Sequence, residues 1–276
     1  VMLNELKKAK KYIFMEYFII EEGIMFNFIL SILEEKVKQG VEVRVMYDDM
    51  GSLGTLPASY AKQLKKKGIK AVSFNRISPI INTIMNHRDH RKILVIDGKV
   101  AFSGGANLAD EYINKKVKYG HWMDNIICIK GKAVWSYLVM FLTNWNALRH
   151  EDEDYTVFKN NDDVDELSYD GYIAPYAETP LDEELTGQSV YEDLLNSANE
   201  YVYIMTPYLI IDSEMINTLI HTAKKGVDVR IIMPGIADKQ IVHDMGRTYY
   251  AQLIQGGVKI YEYEPGFVHS KVFVCD

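Results

Sequence analysis

The sequence predicts an α/β protein of two similar halves, each built on a mostly parallel sheet. A strand-like apolar run, a helical stretch and a second apolar strand occur in that order at 12–47 and again at 201–233. These strands are apolar on both faces, which is typical of parallel sheets that helices cover. A parallel pair also needs a crossover connection, usually right-handed and through a helix. We therefore expect two buried sheets, each with mostly parallel strands.

Glycines mark where the predicted helices end. Gly40 closes the first helical stretch and Gly226 closes its counterpart, each directly before a strand. A glycine at this position fits the left-handed conformation that follows many helices. Further along each half, a second helical stretch ends at Gly68 or at Gly256, and another strand follows. Each half thus carries the same alternation of strands and helices.

A hairpin is expected in the first half, where Asp97-Gly98 separates the apolar runs 93–96 and 99–102. Asp-Gly between two such runs is a strong short-range signal for a tight turn. Asp97 can therefore be interpreted as a turn residue, and equally as a residue with a direct catalytic role.

Length and local composition divide the chain into three parts. At 276 residues it suits two domains of ordinary size. We predict a first half at 1–150, an acidic linker with scattered prolines at 151–188, and a second half at 189–276. The last strand-like run stops at Asp276 without a following partner. We expect the second half to be incomplete and the chain to be part of a longer protein.

Composition argues against several classes of protein. The chain has 31 Lys and Arg residues against 38 Asp and Glu, a formal charge of −7 that disfavours a dedicated nucleic-acid binder. Its two cysteines, Cys128 and Cys275, favour a reduced compartment and give no Cys-based metal site. The nearest candidate for a membrane span, 12–33, is interrupted by three glutamates that are costly in hydrocarbon.

One short motif occurs in each half: a histidine, a lysine two residues later, and an aspartate five residues after the lysine. Its members are His90, Lys92 and Asp97 in the first half and His269, Lys271 and Asp276 in the second. Side chains two residues apart on a strand point to the same face. Placing such groups at the mouth of a buried strand is costly unless an anion meets them. Two such strands, brought together, would offer a phosphodiester the cations, the nucleophile and the proton donor that its cleavage needs.

The hairpin is followed by a turn that suits a phosphate. Gly104 and Gly105 permit close approach of the backbone to a ligand, and Asn107 supplies an amide donor for a phosphoryl oxygen. Glycine and asparagine are common in turns of every kind. The segment is evidence for a phosphate site because it lies one strand away from His90 and Lys92.

These motifs resemble those of the phospholipase D superfamily, in which His-x-Lys-x4-Asp is followed by Gly-Ser- or Gly-Gly-x-Asn. The likeness to bacterial cardiolipin synthases in particular covers nearly the whole chain outside the linker, with the most similar runs at 15–19, 87–99, 102–112, 122–124, 206–208 and 265–271. There are two departures. Gly105 occupies the serine position of the general pattern, as is familiar in the synthase branch, and the second motif has no Gly-x-Asn partner in this sequence.

The resemblance implies two α/β/α halves related by a pseudo-twofold axis, with the active site between them. It also implies phosphatidyl transfer without a metal ion or a cofactor. By analogy with the family, His90 is the nucleophile and His269 the acid–base, an order that the sequence itself leaves open. Lys92, Lys271 and Asn107 would stabilise the charge on the phosphoryl oxygens.

Three aspartates complete the set of candidate site residues. Asp124 stands where relatives have a carboxylate that orients the first histidine; an ordinary surface aspartate is the alternative interpretation. Asp97 and Asp276 are included because both belong to the repeated motif.

The resemblance implies a reaction that joins two phosphatidylglycerol molecules into cardiolipin and glycerol through a phosphohistidine intermediate. The expected partners are phosphatidylglycerol and other anionic phospholipids at a membrane surface, and not nucleic acid. The expected location is the bacterial cell membrane, with this chain as the catalytic part of an anchored protein. Phospholipid hydrolysis, endonuclease activity and a non-catalytic binding role are the alternatives. The acidic charge disfavours the nuclease, and His–Lys pairs in both halves disfavour the binding module.

Overall fold

A computed structural model describes residues 1–76, 87–150, 152–160, 171–178 and 184–276. The chain divides into two compact units, one of Val1–Asp110 with Ile126–Ala177 and the other of Glu111–Asn125 with Glu178–Asp276. The expected linker at 151–188 lies partly outside the described residues, at positions 151, 161–170 and 179–183.

Helices and strands alternate along most of the described chain. Up to residue 150 the elements are α1 (Met2–Lys8), β1 (Tyr12–Tyr17), α2 (Ile24–Lys38), β2 (Glu42–Asp48), α3 (Tyr60–Lys66), β3 (Lys70–Phe74), β4 (Ile93–Ile96), β5 (Val100–Gly104), β6 (His121–Met123), β7 (Ile126–Lys130) and α4 (Val134–Arg149). They continue as α5 (Thr186–Ser197), β8 (Tyr201–Met205), α6 (Ser213–Lys224), β9 (Asp228–Pro234), α7 (Gln240–Arg247), α8 (Tyr250–Gln255), β10 (Lys259–Tyr263), β11 (Gly266–Val268) and β12 (Val272–Cys275). Within the described ranges, no helix combines the length and the apolar character needed to cross a bilayer.

The first unit is a mixed sheet covered by helices on both faces. Its strand order is β3-β2-β1-β4-β5-β7, with β1, β2 and β3 parallel and the other strands antiparallel to their neighbours. Because side chains alternate along a strand, β1 serves two cores. Ile13 and Met15 pack with α2 and α3, whereas Phe14 packs with Phe141 and Trp145 of α4.

The second unit repeats this arrangement on a smaller scale. Its main sheet has the order β10-β9-β8-β12, with β8, β9 and β10 parallel and β12 antiparallel to β8. Val202 and Val229 of the sheet share a core with Leu219 of α6 and Leu253 of α8. A separate parallel ladder joins β6 to β11.

The repeated strand order confirms the predicted α/β fold with parallel strands. In each unit the first strand of the repeat lies between a parallel partner and the antiparallel strand that follows the His–Lys pair. The predicted hairpin is also present, because β4 pairs with β5 across Asp97 and Gly98. Both turn residues have positive φ, 53° and 64°, as a tight turn that matches the strand twist requires.

Residues 152–160 pack against the sheet of the first unit. The ring of Phe158 lies 5.4 Å from that of Tyr12 and 5.2 Å from that of Phe14, between centroids. Glu153 binds Arg44 through both carboxylate oxygens, at 2.7 and 2.8 Å. These contacts tie the start of the expected linker to the sheet, and α5 begins near its other end.

Candidate active site

The second motif begins where β11 ends, next to the end of β6. The two strands are parallel with Met123 opposite Val268, so the residues that follow, Asp124 and His269, are neighbours. The backbone N–H of His269 donates to the carbonyl of Met123 at 2.8 Å. Asp124 Oδ2 lies 2.6 Å from His269 Nδ1. Both side chains are nearly buried, at 3% and 11% exposure, which strengthens this contact.

This contact defines which nitrogen of His269 is available for chemistry. An ionised carboxylate only accepts hydrogen bonds, so Asp124 fixes the proton of the ring on Nδ1. Nε2 is then the nitrogen that can take up or release a proton. When it takes one up, the adjacent carboxylate stabilises the imidazolium, as in other Asp–His pairs.

The expected partner of Asp124 was wrong. Family analogy assigned this carboxylate to the first histidine, whereas the structure places it on His269. The physical reason is that β6 pairs with β11 in the second unit. Asp124, which directly follows β6, therefore lies beside the second motif.

Aromatic rings surround the imidazole of His269. Its centroid lies 5.3 Å from Trp122, 5.5 Å from Tyr112 and 5.9 Å from Phe267. Trp122 and Phe267 each precede Asp124 or His269 by two residues, and therefore share a strand face with them. The two-residue spacing of each ring from its polar residue is visible in the sequence, but the sequence alone did not assign a role to either ring.

Lys271 supplies a cation next to His269. Its Nζ donates to the carbonyl oxygen of His269 at 2.5 Å. The residue reaches solvent, but protein atoms around its amine lower the pKa to about 8, while Asp124 and Asp238 act in the opposite direction. A bound phosphate would favour the charged form of this amine.

The first motif repeats the contact between lysine and histidine. Lys92 Nζ donates to the carbonyl oxygen of His90, and the lysine is only 5% exposed. Phe18 lies beside both groups, with its centroid 4.7 Å from the imidazole of His90 and 5.3 Å from Lys92 Nζ. His90 itself is exposed. The sequence thus folds each His–Lys pair into the same local geometry.

The turn after β5 lies next to the first motif. Ile93 pairs with Ser103 in the antiparallel ladder, so Gly104 and Gly105 continue alongside Lys92. Asn107 is 1% exposed, and its Oδ1 accepts the backbone N–H of Ile19 at 2.9 Å. That bond orients the side chain and makes Nδ2 its donor end.

The motif aspartates lie at the opposite ends of their strands from the histidines. Asp97 accepts the backbone N–H groups of Lys10, Lys11 and Tyr12, each at 2.8 Å. Asp276 accepts those of Asn199, Glu200 and Tyr201 at 3.0–3.2 Å. Each aspartate lies five positions along the strand from its lysine, roughly 16 Å. Each carboxylate therefore anchors the start of the neighbouring strand, β1 or β8.

A family model described as cardiolipin synthase, PLD-like domain, matches residues 2–139 and 191–276. The chain belongs to this family. The resemblance to the phospholipase D superfamily, and to cardiolipin synthases within it, is confirmed.

Relatives of this PLD-like domain match it along its length. An uncharacterised protein of Streptococcus mutans serotype c is 54% identical over 275 residues, covering all of this chain and 59% of the relative. Cardiolipin synthase 2 of Bacillus cereus is 38% identical and cardiolipin synthase of Alkalihalophilus pseudofirmus 36% identical, each over all of this chain. The chain covers 53% and 54% of these two relatives, about half of their length.

Solved structures show the same fold. Phosphatidylserine synthase of Haemophilus influenzae Rd KW20 matches with a TM-score of 0.64 at 15% identity, over all of this chain and 73% of that one. Polyphosphate kinase of Porphyromonas gingivalis matches with a TM-score of 0.54 at 13% identity, over 99% of this chain and 40% of that one. At these identities the likeness concerns the fold alone.

Two further polar groups of the PLD-like domain lie near the second motif. The hydroxyl of Tyr208 donates to Asp238 Oδ2 at 2.6 Å, and Asp238 is close enough to Lys271 to raise its pKa. The sequence singled out Tyr208 only as part of a similar run, and Asp238 not at all. Among the residues that the structure describes, no three His, Cys, Asp or Glu side chains are grouped so as to hold a metal ion.

Proposed function

We propose that this PLD-like domain transfers a phosphatidyl group between two phosphatidylglycerol molecules, forming cardiolipin and releasing glycerol. The observation that carries the proposal is the Asp124–His269 pair at 2.6 Å, a built proton donor and acceptor beside the ammonium of Lys271. Its occurrence in a family of cardiolipin synthase domains, with a second His–Lys pair in the same chain, supports a phosphatidyltransferase.

In the first step the neutral imidazole of His90 attacks the phosphorus of one phosphatidylglycerol. The bond between phosphorus and the glycerol headgroup oxygen breaks as His269 Nε2 donates a proton to that oxygen. The product is a phosphatidyl-histidine and free glycerol. A covalent intermediate of this kind divides one difficult displacement into two easier ones.

In the second step the roles of His269 reverse. Its neutral Nε2 accepts the proton of a headgroup hydroxyl on the second phosphatidylglycerol, and the resulting oxygen attacks phosphorus. The bond between phosphorus and His90 breaks, which releases cardiolipin. General acid–base help of this kind contributes about 10²–10⁴ in rate.

Three groups are assigned to the phosphoryl oxygens. The ammonium groups of Lys92 and Lys271 and the Nδ2 donor of Asn107 stabilise the negative charge of the transition state. A hydrogen bond to the backbone orients each of them, to the carbonyl of the motif histidine for the lysines and to the N–H of Ile19 for Asn107. Asp97 and Asp276 hold strands in this proposal and take no part in the reaction.

The substrates also define where the domain acts. Phosphatidylglycerol and other anionic phospholipids reside in bilayers, so we propose that the domain works at the surface of the bacterial cell membrane. Vesicles of phosphatidylglycerol should bind the protein more tightly than vesicles of a zwitterionic lipid, as measured by co-sedimentation. Equal binding to both would contradict this part of the proposal.

The test of the reaction supplies phosphatidylglycerol vesicles to the full-length protein that contains this domain and identifies the products. Cardiolipin with an equal amount of glycerol is expected. Phosphatidic acid without cardiolipin would replace the synthase with a hydrolase, and cleavage of DNA with inert phosphatidylglycerol would replace it with a nuclease. His90→Ala should abolish product and His269→Ala should lower its formation by about 10⁴-fold, whereas His221→Ala, at an exposed histidine on α6, is the matched control.

A further inference from the structure

A buried pair of carboxyl groups lies directly behind the first motif. Glu16, in the middle of β1, is 0% exposed, and Asp89, the residue before His90, is 4% exposed. Glu16 Oε1 accepts from Asn144 Nδ2 at 2.8 Å and lies 3.3 Å from Arg91 Nε. Asp89 Oδ1 lies 3.2 Å from the same Arg91 nitrogen. Two carboxyl groups thus flank one guanidinium.

The remaining oxygens of the pair indicate a proton between them. Glu16 Oε2 and Asp89 Oδ2 are both buried and accept no hydrogen bond from any described N–H or O–H group. Through its other oxygen, each carboxyl group reaches the same Arg91 nitrogen, at 3.3 and 3.2 Å. A carboxylate can only accept hydrogen bonds whereas a carboxylic acid can donate one, so a single proton on the pair is what these two buried oxygens lack.

Charge leads to the same conclusion. One guanidinium balances one negative charge, and a second unbalanced charge in a buried site is costly. Among the described residues, the charged groups that act on Glu16 are Asp89 and Arg91, from the segment before β4, and α4 contributes the neutral amide of Asn144. Burial and, next, the charge of Asp89 raise the pKa of Glu16 well above its ordinary value, against the opposing effect of Arg91.

The pair is mechanically connected to His90. Asp89 and Arg91 are the two chain neighbours of that histidine, and Glu16 lies against Arg91. The backbone N–H of Asp89 also donates to Asp48 Oδ2 at 3.1 Å, at the end of β2. Two contacts therefore hold the segment that carries His90: the ion pairs of Arg91 with the carboxyl pair, and the hydrogen bond from Asp89 to Asp48.

We propose that Glu16 and Asp89 share a single proton and that this carboxylic acid–carboxylate pair positions His90 for attack. The proposal rests on the proposed function only in naming His90 as the nucleophile. Both are positioning residues, because neither touches the reacting atoms. Loss of the shared proton leaves two buried negative charges on one guanidinium, and their repulsion displaces Asp89 and the imidazole that follows it. Turnover is then lost as the pH rises.

The proton itself can be measured without any assay of activity. We expect the infrared spectrum of the full chain at pH about 7, where ordinary carboxyl groups are ionised, to contain the carbonyl band of a buried carboxylic acid. Glu16→Gln and Asp89→Asn should each remove that band, because an amide replaces the acid or its partner. Glu42→Gln, on the neighbouring strand, is the control and should leave the band. A wild-type spectrum without the band would overturn the proposal and leave the proposed function intact.

Unfolding provides a second readout that is independent of turnover. The folded chain retains a proton that the unfolded chain releases above the ordinary glutamate value of 4.5. Because the folded state then binds more protons, its free energy of unfolding falls as the pH rises above that value. This fall should be smaller in Glu16→Gln, which keeps a hydrogen-bond donor but does not titrate. An unchanged pH dependence in that variant would contradict the shared proton.

The positioning role is tested by the pH dependence of kcat. Glu16→Gln should keep a kcat close to that of the wild type at neutral pH and lose the part of the alkaline fall that the carboxyl pair causes, while the part due to Lys271 remains. Glu16→Leu fills the space without a hydrogen bond and should lower kcat about 100-fold, the usual cost of a small misplacement, with KM nearly unchanged. Identical kcat–pH profiles in the wild type and both variants would overturn the positioning role. If His90→Ala kept its turnover, the proposed function would fail while the infrared result stood.

Discussion

The two His–Lys motifs share a framework and differ in what supports the histidine. In both, the lysine amine donates to the carbonyl of the histidine, and the motif aspartate binds three consecutive backbone N–H groups. The differences lie at the residues next to the histidine. His90 stands between the buried Asp89 and the half-buried Arg91, which form an ion pair, whereas His269 stands between the buried Val268 and Ser270.

The second difference is the group that contacts the ring. His269 has a carboxylate on Nδ1 and aromatic rings around it, which suits a group that gains and loses a proton. His90 packs on Phe18 and is exposed, which suits a group that must reach phosphorus. A repeated fold thus gives the two histidines equivalent positions, and the residues around them differ in the way that the proposed division of roles requires.

The largest expected effect comes from removing each histidine separately. His90→Ala should form no covalent intermediate, because the atom that binds phosphorus is gone. His269→Ala should form and hydrolyse it slowly, with turnover reduced by about 10⁴-fold. Acid-labile phosphate label on the protein, trapped after brief exposure to phosphatidylglycerol labelled in its phosphate, distinguishes the two. Equal labelling of both variants would contradict this assignment of roles.

The next effect concerns the carboxylate that distinguishes the second motif. Asp124→Asn should lower kcat by about 100-fold with little change in KM, because an amide neither fixes Nδ1–H nor stabilises the imidazolium. Asp124→Glu should recover part of the loss. Asp244→Asn, an exposed aspartate on α7, is the control. If Asp124→Asn turned over like the wild type, His269 would not depend on this contact and the contrast between the motifs would be lost.

A smaller effect is expected from the charge of Lys271. Because its pKa is lowered to about 8, the amine is charged below that pH and loses its charge above it. kcat/KM for phosphatidylglycerol should therefore fall about tenfold per pH unit on the alkaline side. Lys271→Arg keeps its charge there and should flatten the profile. Lys224→Arg on α6 is the control, and an identical fall in Lys271→Arg would assign it to another group.

The motif aspartates should affect stability and leave chemistry unchanged. Asp97→Ala leaves three backbone N–H groups without their acceptor and should lower the free energy of unfolding by about 3 kcal/mol. Denaturant unfolding measures this, with kcat of the folded protein as the control. A large fall in kcat at unchanged stability would return Asp97 to the reacting site.

The smallest effect is expected at Asp276, which is more exposed than its counterpart. Its three backbone hydrogen bonds lower the pKa of the carboxyl to about 2 from an ordinary value of 3.8. A depressed pKa means that the stabilisation is complete above the ordinary value and is lost as the pH falls towards about 2. Thermal unfolding of the wild type and Asp276→Asn should converge in acid. Parallel curves at every pH would contradict this role.

Local patterns predicted most of the fold. Apolar strands alternating with helices that end in glycine identify parallel units, because a buried sheet needs strands that are apolar on both faces. Asp97-Gly98 predicted the hairpin for a similarly local reason. The acceptor role of Asp97 was not predictable, because it depends on β4 ending beside the start of β1, 85 residues earlier.

The candidate site was predictable in its residue types and not in its pairings. The repeat identifies both His–Lys pairs, since chemistry and spacing coincide twice. The partner of Asp124 follows from one pairing of strands, β6 with β11, that is 145 residues apart in the chain. The pairing of Glu16 with Asp89 was not predictable either, because the two residues lie far apart in the sequence.

The excursion of residues 111–125 into the second unit has a genetic consequence. A gene divided between the two halves would encode His269 on one product and Asp124 on the other. The Asp124–His269 contact would form only if the two fragments reassembled. A circular permutation would have to keep residues 111–125 joined to the residues before and after them. The acid–base pair therefore depends on both halves of the sequence, although each half carries its own motif.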